Sequence, residues 1–246
     1  SVKGMHTPRP VRALLIDMDN TLVDLVGAKR AACRAIIEKT GVGDADLLCS
    51  YFLRRTRGFE DPGNILDFLV DEGVYSDSLF EVCAATYREE KLSHIVPYPG
   101  VPETLERLVE RGYPLALVTD AHRNDAIPRL ERAGLRGFFD HIVTYDMTWQ
   151  KKPDPLPFLY ALQMLNTTPG DAMVVGDSQR RDIAPAKKIG MITVYARYGD
   201  RFSLSGMDGG ADFTIDDFAQ LLPLLSGLEV DGKVRRSPCA AGSPSR

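Results

Sequence analysis

Val11-Arg12-Ala13-Leu14-Leu15-Ile16-Asp17-Met18-Asp19-Asn20-Thr21 is the most informative segment of the chain. It opens as a short, almost unbroken apolar run and ends abruptly in two carboxylates. A run of this build marks a parallel strand covered on both faces, so Asp17 and Asp19 stand where the strand stops. Residues 114–120 (P-L-A-L-V-T-D), 141–145, 172–177 (A-M-V-V-G-D) and 192–196 have the same character. Each has the usual length of a strand.

Helical patterns separate these runs. Residues 102–111 open with Pro102 in a first-turn position and close before Gly112; residues 124–133 close before Gly134. Asp154 is placed to cap a helix starting at Pro155 and running to about residue 165, and Pro185 opens another ending before Gly190. Strand and helix in alternation predict a Rossmann-like α/β core around a parallel sheet. Residues 25–95 break the alternation. They hold no strand pattern but four amphipathic ones, at 25–40, 45–55, 65–71 and 78–92. This predicts a helical insert beyond the carboxyl end of the first strand, on the side where α/β sheets bind ligands. The expected organisation is a core of residues 10–24 and 96–225, a helical cap at 25–95, and a flexible tail at 226–246 rich in Ser, Pro, Ala and Gly. Residues 1–9 read as an untidy leader.

The 246 residues are 44% hydrophobic and 26% charged, ordinary for a globular enzyme. A net charge of −4 argues against nucleic acid and against an anionic membrane surface as partners. No apolar stretch is long enough to span a bilayer. Cys33, Cys49, Cys83 and Cys239 form no C-x-x-C pair, which suits reduced thiols and predicts a cytoplasmic protein. Four scattered histidines offer no zinc-ligand spacing.

Acids at strand ends are the chemically unusual feature. Asp17 and Asp19 are two residues apart, so alternation points them to one face, where their repulsion costs energy unless a cation or proton offsets it. Asp177, followed by Ser178 and then Asp182, ends the fourth run, and Thr119-Asp120 ends the second. In a parallel sheet all of these converge on one edge, and Lys152, just before Pro153, can reach it. Hard carboxylate oxygens suit Mg²⁺. Thr119 and Lys152 supply donors for phosphoryl oxygens, and a carboxylate can accept a phosphoryl group as an aspartyl phosphate. Asp17, held against the cation, is expected to stay ionised and attack. Asp19, beside another carboxylate, is expected to have a raised pKa and to exchange protons with the leaving group and water.

D-x-D-x-T after an apolar strand, T-D at the second strand end, K-P-D-P and G-D-S-x-x-x-D occur in that order. Together they resemble the four motifs of the haloacid dehalogenase-like superfamily, over roughly residues 11–225. The resemblance implies Asp17 as nucleophile and Asp19 as acid/base. It also implies Mg²⁺ held by Asp17, Asp177 and the main-chain oxygen of Asp19, with Asp182 ligating through water or orienting the shell. Thr119, Asp120 (through its main-chain N–H) and Lys152 would bind the phosphate. The insert is similar to the helical cap of phosphoglycolate phosphatase-like members, which closes over the site.

Asp120 departs from the commoner Asn and would be unfavourable if its carboxylate pointed at the phosphate. Asp19 favours phosphoesters over 2-haloacids, since a departing halide needs no acid. The expected activity is Mg²⁺-dependent hydrolysis of a small phosphorylated metabolite by a monomer or homodimer. A phosphomutase, a dehalogenase and a silent binding module are the alternatives. Arg54, Arg55 and Arg57 read either as an anion grip or as a basic helix end. Tyr145 and Trp149 read either as entrance residues or as packing.

Overall fold

A computed structural model describes residues 10–54, 56–201 and 209–231. Six strands form one fully parallel sheet: β1 (Ala13–Ile16), β2 (Leu115–Val118), β3 (His141–Val143), β4 (Ala172–Gly176), β5 (Ile192–Ala196) and β6 (Phe213–Ile215). Their order is β3-β2-β1-β4-β5-β6. Leu15 lies opposite Ala116 on one side and Val174 on the other. Alternation along β1 sends Leu14 and Ile16 to one face and Leu15 to the other, and a separate apolar cluster covers each face. The apolar run is continuous because neither face of the strand meets water.

Among the described residues ten α-helices accompany the sheet. α1 (Leu25–Thr40), α2 (Ala45–Leu53), α3 (Gly63–Asp71) and α4 (Asp77–Ser93) follow β1 without an intervening strand. They enclose a core of their own, in which Phe52 stacks on Tyr87 at 4.7 Å and Phe68 is fully buried. Local signals start and stop these helices. Asp24, Asp44 and Ser76 each accept a hydrogen bond from a first-turn N–H, and Gly41 ends α1 in the left-handed region. α5 (Val101–Glu110), α6 (Arg123–Arg132), α7 (Tyr145–Thr148), α8 (Leu156–Met164), α9 (Ala184–Lys188) and α10 (Leu221–Asp231) complete the set. Phe158, Ala161 and Leu162 of α8 fill one face of the sheet; Leu105 and Leu108 of α5 and Leu221 and Leu225 of α10 fill the other. Among the described residues no helix is long and apolar enough to cross a membrane.

One boundary needs correcting, and one strand escaped the sequence reading. The tail was expected to begin at residue 226, but a helix that opens at Leu221 runs past that point to Asp231. Leu221, Leu224, Leu225 and Leu228 keep a helical spacing against the core, and Arg111 donates to the Leu222 carbonyl and Ser226 Oγ. β6 has no counterpart in the sequence reading. Only three residues long and flanked by acids, it is anchored at the sheet edge by Asp212, which accepts from the N–H and hydroxyl of Thr193. The helix expected to open at Pro185 and end before Gly190 is α9, preceded by a wide turn over Gln179–Ile183. Residues 1–9 and 232–246, and with them the expected leader and most of the expected tail, lie outside the described residues, as does Arg55.

The loop after β5 packs directly on the turn after β1. A methyl group at Gly199 would lie 1.6 Å from the Asn20 carbonyl oxygen and 3.1 Å from Asp177 Cβ. Both neighbours are held, so the backbone would have to move. Gly199→Ala is expected to destabilise the protein by about 1–3 kcal/mol, read as a fall in denaturation midpoint at unchanged m-value.

Candidate active site

Strand order reverses between β1 and β4, and at such a point the loops leaving the two strands diverge and open a crevice. Asp17 leaves β1 and Asp177 leaves β4 on either side of that crevice. Carboxylate oxygens of Asp17, Asp177 and Asp182 lie within 4.8 Å of one another, and all three side chains are buried. Lys152 enters from the loop between α7 and α8. Its Nζ donates to Asp17 Oδ1 at 2.7 Å, to Asp182 Oδ1 at 2.6 Å and to the Val118 carbonyl at 3.2 Å. Thr21 Oγ1 donates to Asp17 Oδ2 at 2.9 Å and accepts from the Asp177 N–H at 3.1 Å, which ties the two strand ends together. Gly176 leaves room for Asp182, whose Cγ would lie 2.4 Å from any Cβ there.

The charges are unevenly matched. Burial pushes the Asp17 carboxyl up, but Lys152 and Arg181, with hydrogen bonds from Lys152 and Thr21, outweigh it and hold the group below its usual range. Burial pushes Asp182 up to about 6, with Lys152 opposing and Asp17 adding to the rise. Asp177 is driven well above the ordinary range by burial and by the negative charges of Asp17 and Asp182. Lys152 is shifted upward, because three acids outweigh its own desolvation. Two cations thus face three acids, so all three can be ionised together only beside a further positive charge. A hard divalent cation fits this donor set, with Asp177 as the carboxylate least compensated by protein groups.

Asp19, on the same turn, faces a cavity of about 430 Å³ shared with Asp17, Thr119, Lys152 and the loop residues Phe59 and Glu60. Burial, reinforced by Glu60 and Asp17 and opposed by Arg129, pushes its carboxyl up to about 6. Thr119 is buried beneath the cavity, and its Oγ1 accepts from the Ala121 N–H. The Asp120 carboxylate is occupied: Oδ1 accepts from the Lys152 N–H at 2.9 Å, and Oδ2 lies 3.5 Å from Arg181. It therefore braces the lysine loop.

Other expected residues lie elsewhere. Arg54 and Arg57 both grip Asp67 of α3, at 2.6 and 2.8 Å, and do not line the cavity. Tyr145 and Trp149 pack edge-to-face at 5.6 Å beside His122. Arg129, Glu60 and Arg181 escaped the sequence reading. Arg129 left one trace: it falls between Ala126 and Leu130 on the apolar stripe of α6, where a charge is anomalous. Glu60 left none, since its loop is placed by the helical insert.

The sequence signature described as haloacid dehalogenase-like hydrolase matches residues 14–196. The chain is 30% identical over 226 residues to the glyceraldehyde 3-phosphate phosphatase of Pyrococcus furiosus, covering 88% of this chain and 94% of that one. It is 30% identical over 223 residues to the phosphoglycolate phosphatase of Chromobacterium violaceum, covering 87% and 96%. Among solved structures, the fold superposes on magnesium-bound YfnB of Bacillus subtilis with a TM-score of 0.73 at 19% identity, covering 89% of this chain and all of that one.

This crowding of acids has a measurable consequence. In EDTA, Asp177→Asn is expected to raise stability by about 1 kcal/mol or more, a few degrees in Tm, because it removes a buried carboxyl that must either hold a proton or meet the charges of Asp17 and Asp182. The folded state binds a proton at Asp177 that the unfolded chain has already lost, so ionisation of this group costs stability as pH rises above about 4. The gain should therefore be larger at pH 7.5 than at pH 5, as compared by calorimetry at the two values.

Proposed function

This chain belongs to the haloacid dehalogenase-like hydrolases, and on that footing we propose that it is a magnesium-dependent phosphatase of small phosphate monoesters, acting through a phospho-aspartate at Asp17. One observation carries the reading. Asp17 and Asp19 share a turn and a cavity, yet their surroundings drive their carboxyl groups in opposite directions, one toward the ionised form and the other toward protonation near neutrality. A nucleophile and an acid of the same residue type are separated in this way. The phosphatases among its relatives, from Pyrococcus furiosus and Chromobacterium violaceum, add support.

In the proposed reaction Lys152, Thr119 and the main-chain N–H of Asp120 receive the phosphoryl oxygens. Asp17 attacks phosphorus, and the ester P–O bond breaks as Asp19 gives its proton to the departing oxygen. Asp19, now a carboxylate, takes a proton from water as that water attacks the phosphoryl group. The bond to Asp17 breaks, inorganic phosphate leaves, and both acids return to their starting states. Mg²⁺ would be held by Asp17, Asp177 and the main-chain oxygen of Asp19, with Asp182 and Lys152 fixing the arrangement around it. When bound, it supplies charge neutralisation for the phosphoryl oxygens. The residues of α1–α4 would act as a cap, with Phe59 and Glu60 on the substrate side, closing the site to water.

Phosphate release from p-nitrophenyl phosphate with Mg²⁺ tests the reading. Asp17→Asn is expected to lower kcat by at least about 10³-fold in a protein that still folds, and EDTA should abolish activity reversibly. Activity surviving in Asp17→Asn would remove the nucleophile from the scheme. Conversion of a sugar phosphate without net phosphate release would turn the assignment toward a mutase. Glyceraldehyde 3-phosphate, phosphoglycolate and sugar phosphates then rank the leaving groups.

A further inference from the structure

The charged residues around the cavity are unevenly paired. Its acids are all engaged. Asp17 meets Lys152, Asp19 meets Arg129, and Glu60 meets both Arg129 and Lys91. Asp120 accepts from the Lys152 N–H, and Asp61 accepts from the Gly63 N–H and lies in the field of Arg57. Of the four cations, Lys152 is held by Asp17 and Asp182, and Arg181 lies 3.5 Å from Asp120. Lys151 and Arg180 differ. Both line the cavity yet are exposed, which puts them at its mouth. Among the described residues neither pairs with a carboxylate, and Lys151 Nζ has the face of Tyr145, at 5.0 Å. Arg180 stands on the wide turn after β4 and Lys151 on the loop before α8, so both belong to the sheet domain rather than to the helical insert.

We infer that Lys151 and Arg180 form a subsite at the cavity mouth for a second anionic group, a carboxylate or a further phosphate carried by the leaving group. The inference rests on the reading of the site as a phosphatase. Where the neighbouring acids already have partners, two unpaired cations offer their charge to whatever enters, and the walls of a cavity focus that field. A guanidinium fork takes a carboxylate or phosphate through two parallel bonds, and an ammonium on a flexible stem adds a donor that can follow the group. At about 430 Å³ the cavity falls in the range of small-ligand sites, with space for a leaving group beyond the phosphoryl. Asp17 and Lys152 are buried at its floor, whereas Lys151 and Arg180 are exposed at its rim. The geometry therefore suits a short substrate charged at both ends. Arg54 and Arg57 do not supply this grip, because both pair with Asp67.

Matched esters that differ only in the distal group test this. One pair is 3-phosphoglycerate and glycerol 3-phosphate; the other is propane-1,3-diol bisphosphate and 3-hydroxypropyl phosphate. The quantity read is the ratio of kcat/KM for the charged ester to that for its neutral partner, from which any general loss of competence cancels. Arg180→Gln is expected to lower this ratio by about tenfold, and Arg180→Gln with Lys151→Gln by about 30-fold. Both side chains are exposed, and surface substitutions of this kind leave a fold intact. A fall confined to the first pair assigns a carboxylate, a fall confined to the second assigns a phosphate, and a fall in both assigns a small anion of either kind. Two solvated surface cations would leave both ratios unchanged in the double variant, and that result overturns the inference. So does a wild-type protein that hydrolyses the neutral esters but not the charged ones. Asp17→Asn, assayed alongside, separates the two levels. If it hydrolyses these esters as the wild type does, the reading of the site fails. If it is inactive while the double variant keeps the wild-type ratios, only the subsite falls.

Discussion

Repulsion among three carboxylates, Asp17 and Asp177 at the ends of neighbouring strands and Asp182 on the turn that follows, crowded within 4.8 Å, is the constraint around which this site is arranged. Buried like charges are tolerated only beside compensating cations. The ammonium of Lys152 fits between Asp17 and Asp182, and the loop that carries it is pinned by Asp120, so even the acid that looks misplaced serves the compensation. Thr21 bridges the two strand ends, and Gly176 and Gly199 are small where acids and backbone crowd together. Instability at this point is the expected signature of a site built to hold something charged.

The same turn places one residue type in two opposite electrostatic environments. Asp17 lies between Lys152 and Thr21 and under the field of Arg181. Asp19, two residues on, meets Arg129 on one oxygen while Glu60 and Asp17 crowd it with negative charge. The difference is set by neighbours from α6, the 58–61 loop and the loop before α8, none of them near the turn in sequence. The helical insert is therefore part of the electrostatics of the site.

Much of this was legible in the linear chain, and the reason is physical. A strand buried on both faces must be apolar throughout, so β1, β2, β4 and β5 stand out, and in a parallel sheet the polar residues that end them must share an edge. Asp17, Asp19, Thr119, Asp120, Asp177 and Asp182 could be gathered on that logic, and the bounds of α1 follow from periodicity and caps alone. β6 was invisible because a three-residue edge strand has too little pattern, and the tail was started too early, at residue 226, because Ser226 and Gly227 interrupt an apolar stripe that nonetheless continues to Leu228.

Side-chain partnership lay beyond that logic. Whether Asp120 points at a phosphate or at the Lys152 loop, whether Arg54 and Arg57 grip a ligand or Asp67, and which cation meets Asp19 all depend on the packing of α1–α4 against the sheet. Periodicity reports which face of an element is buried, a one-dimensional property of the chain. The identity of a buried charge's partner is a three-dimensional one, because Arg129 is 110 residues from Asp19 and 69 from Glu60 and meets both only after the chain has closed.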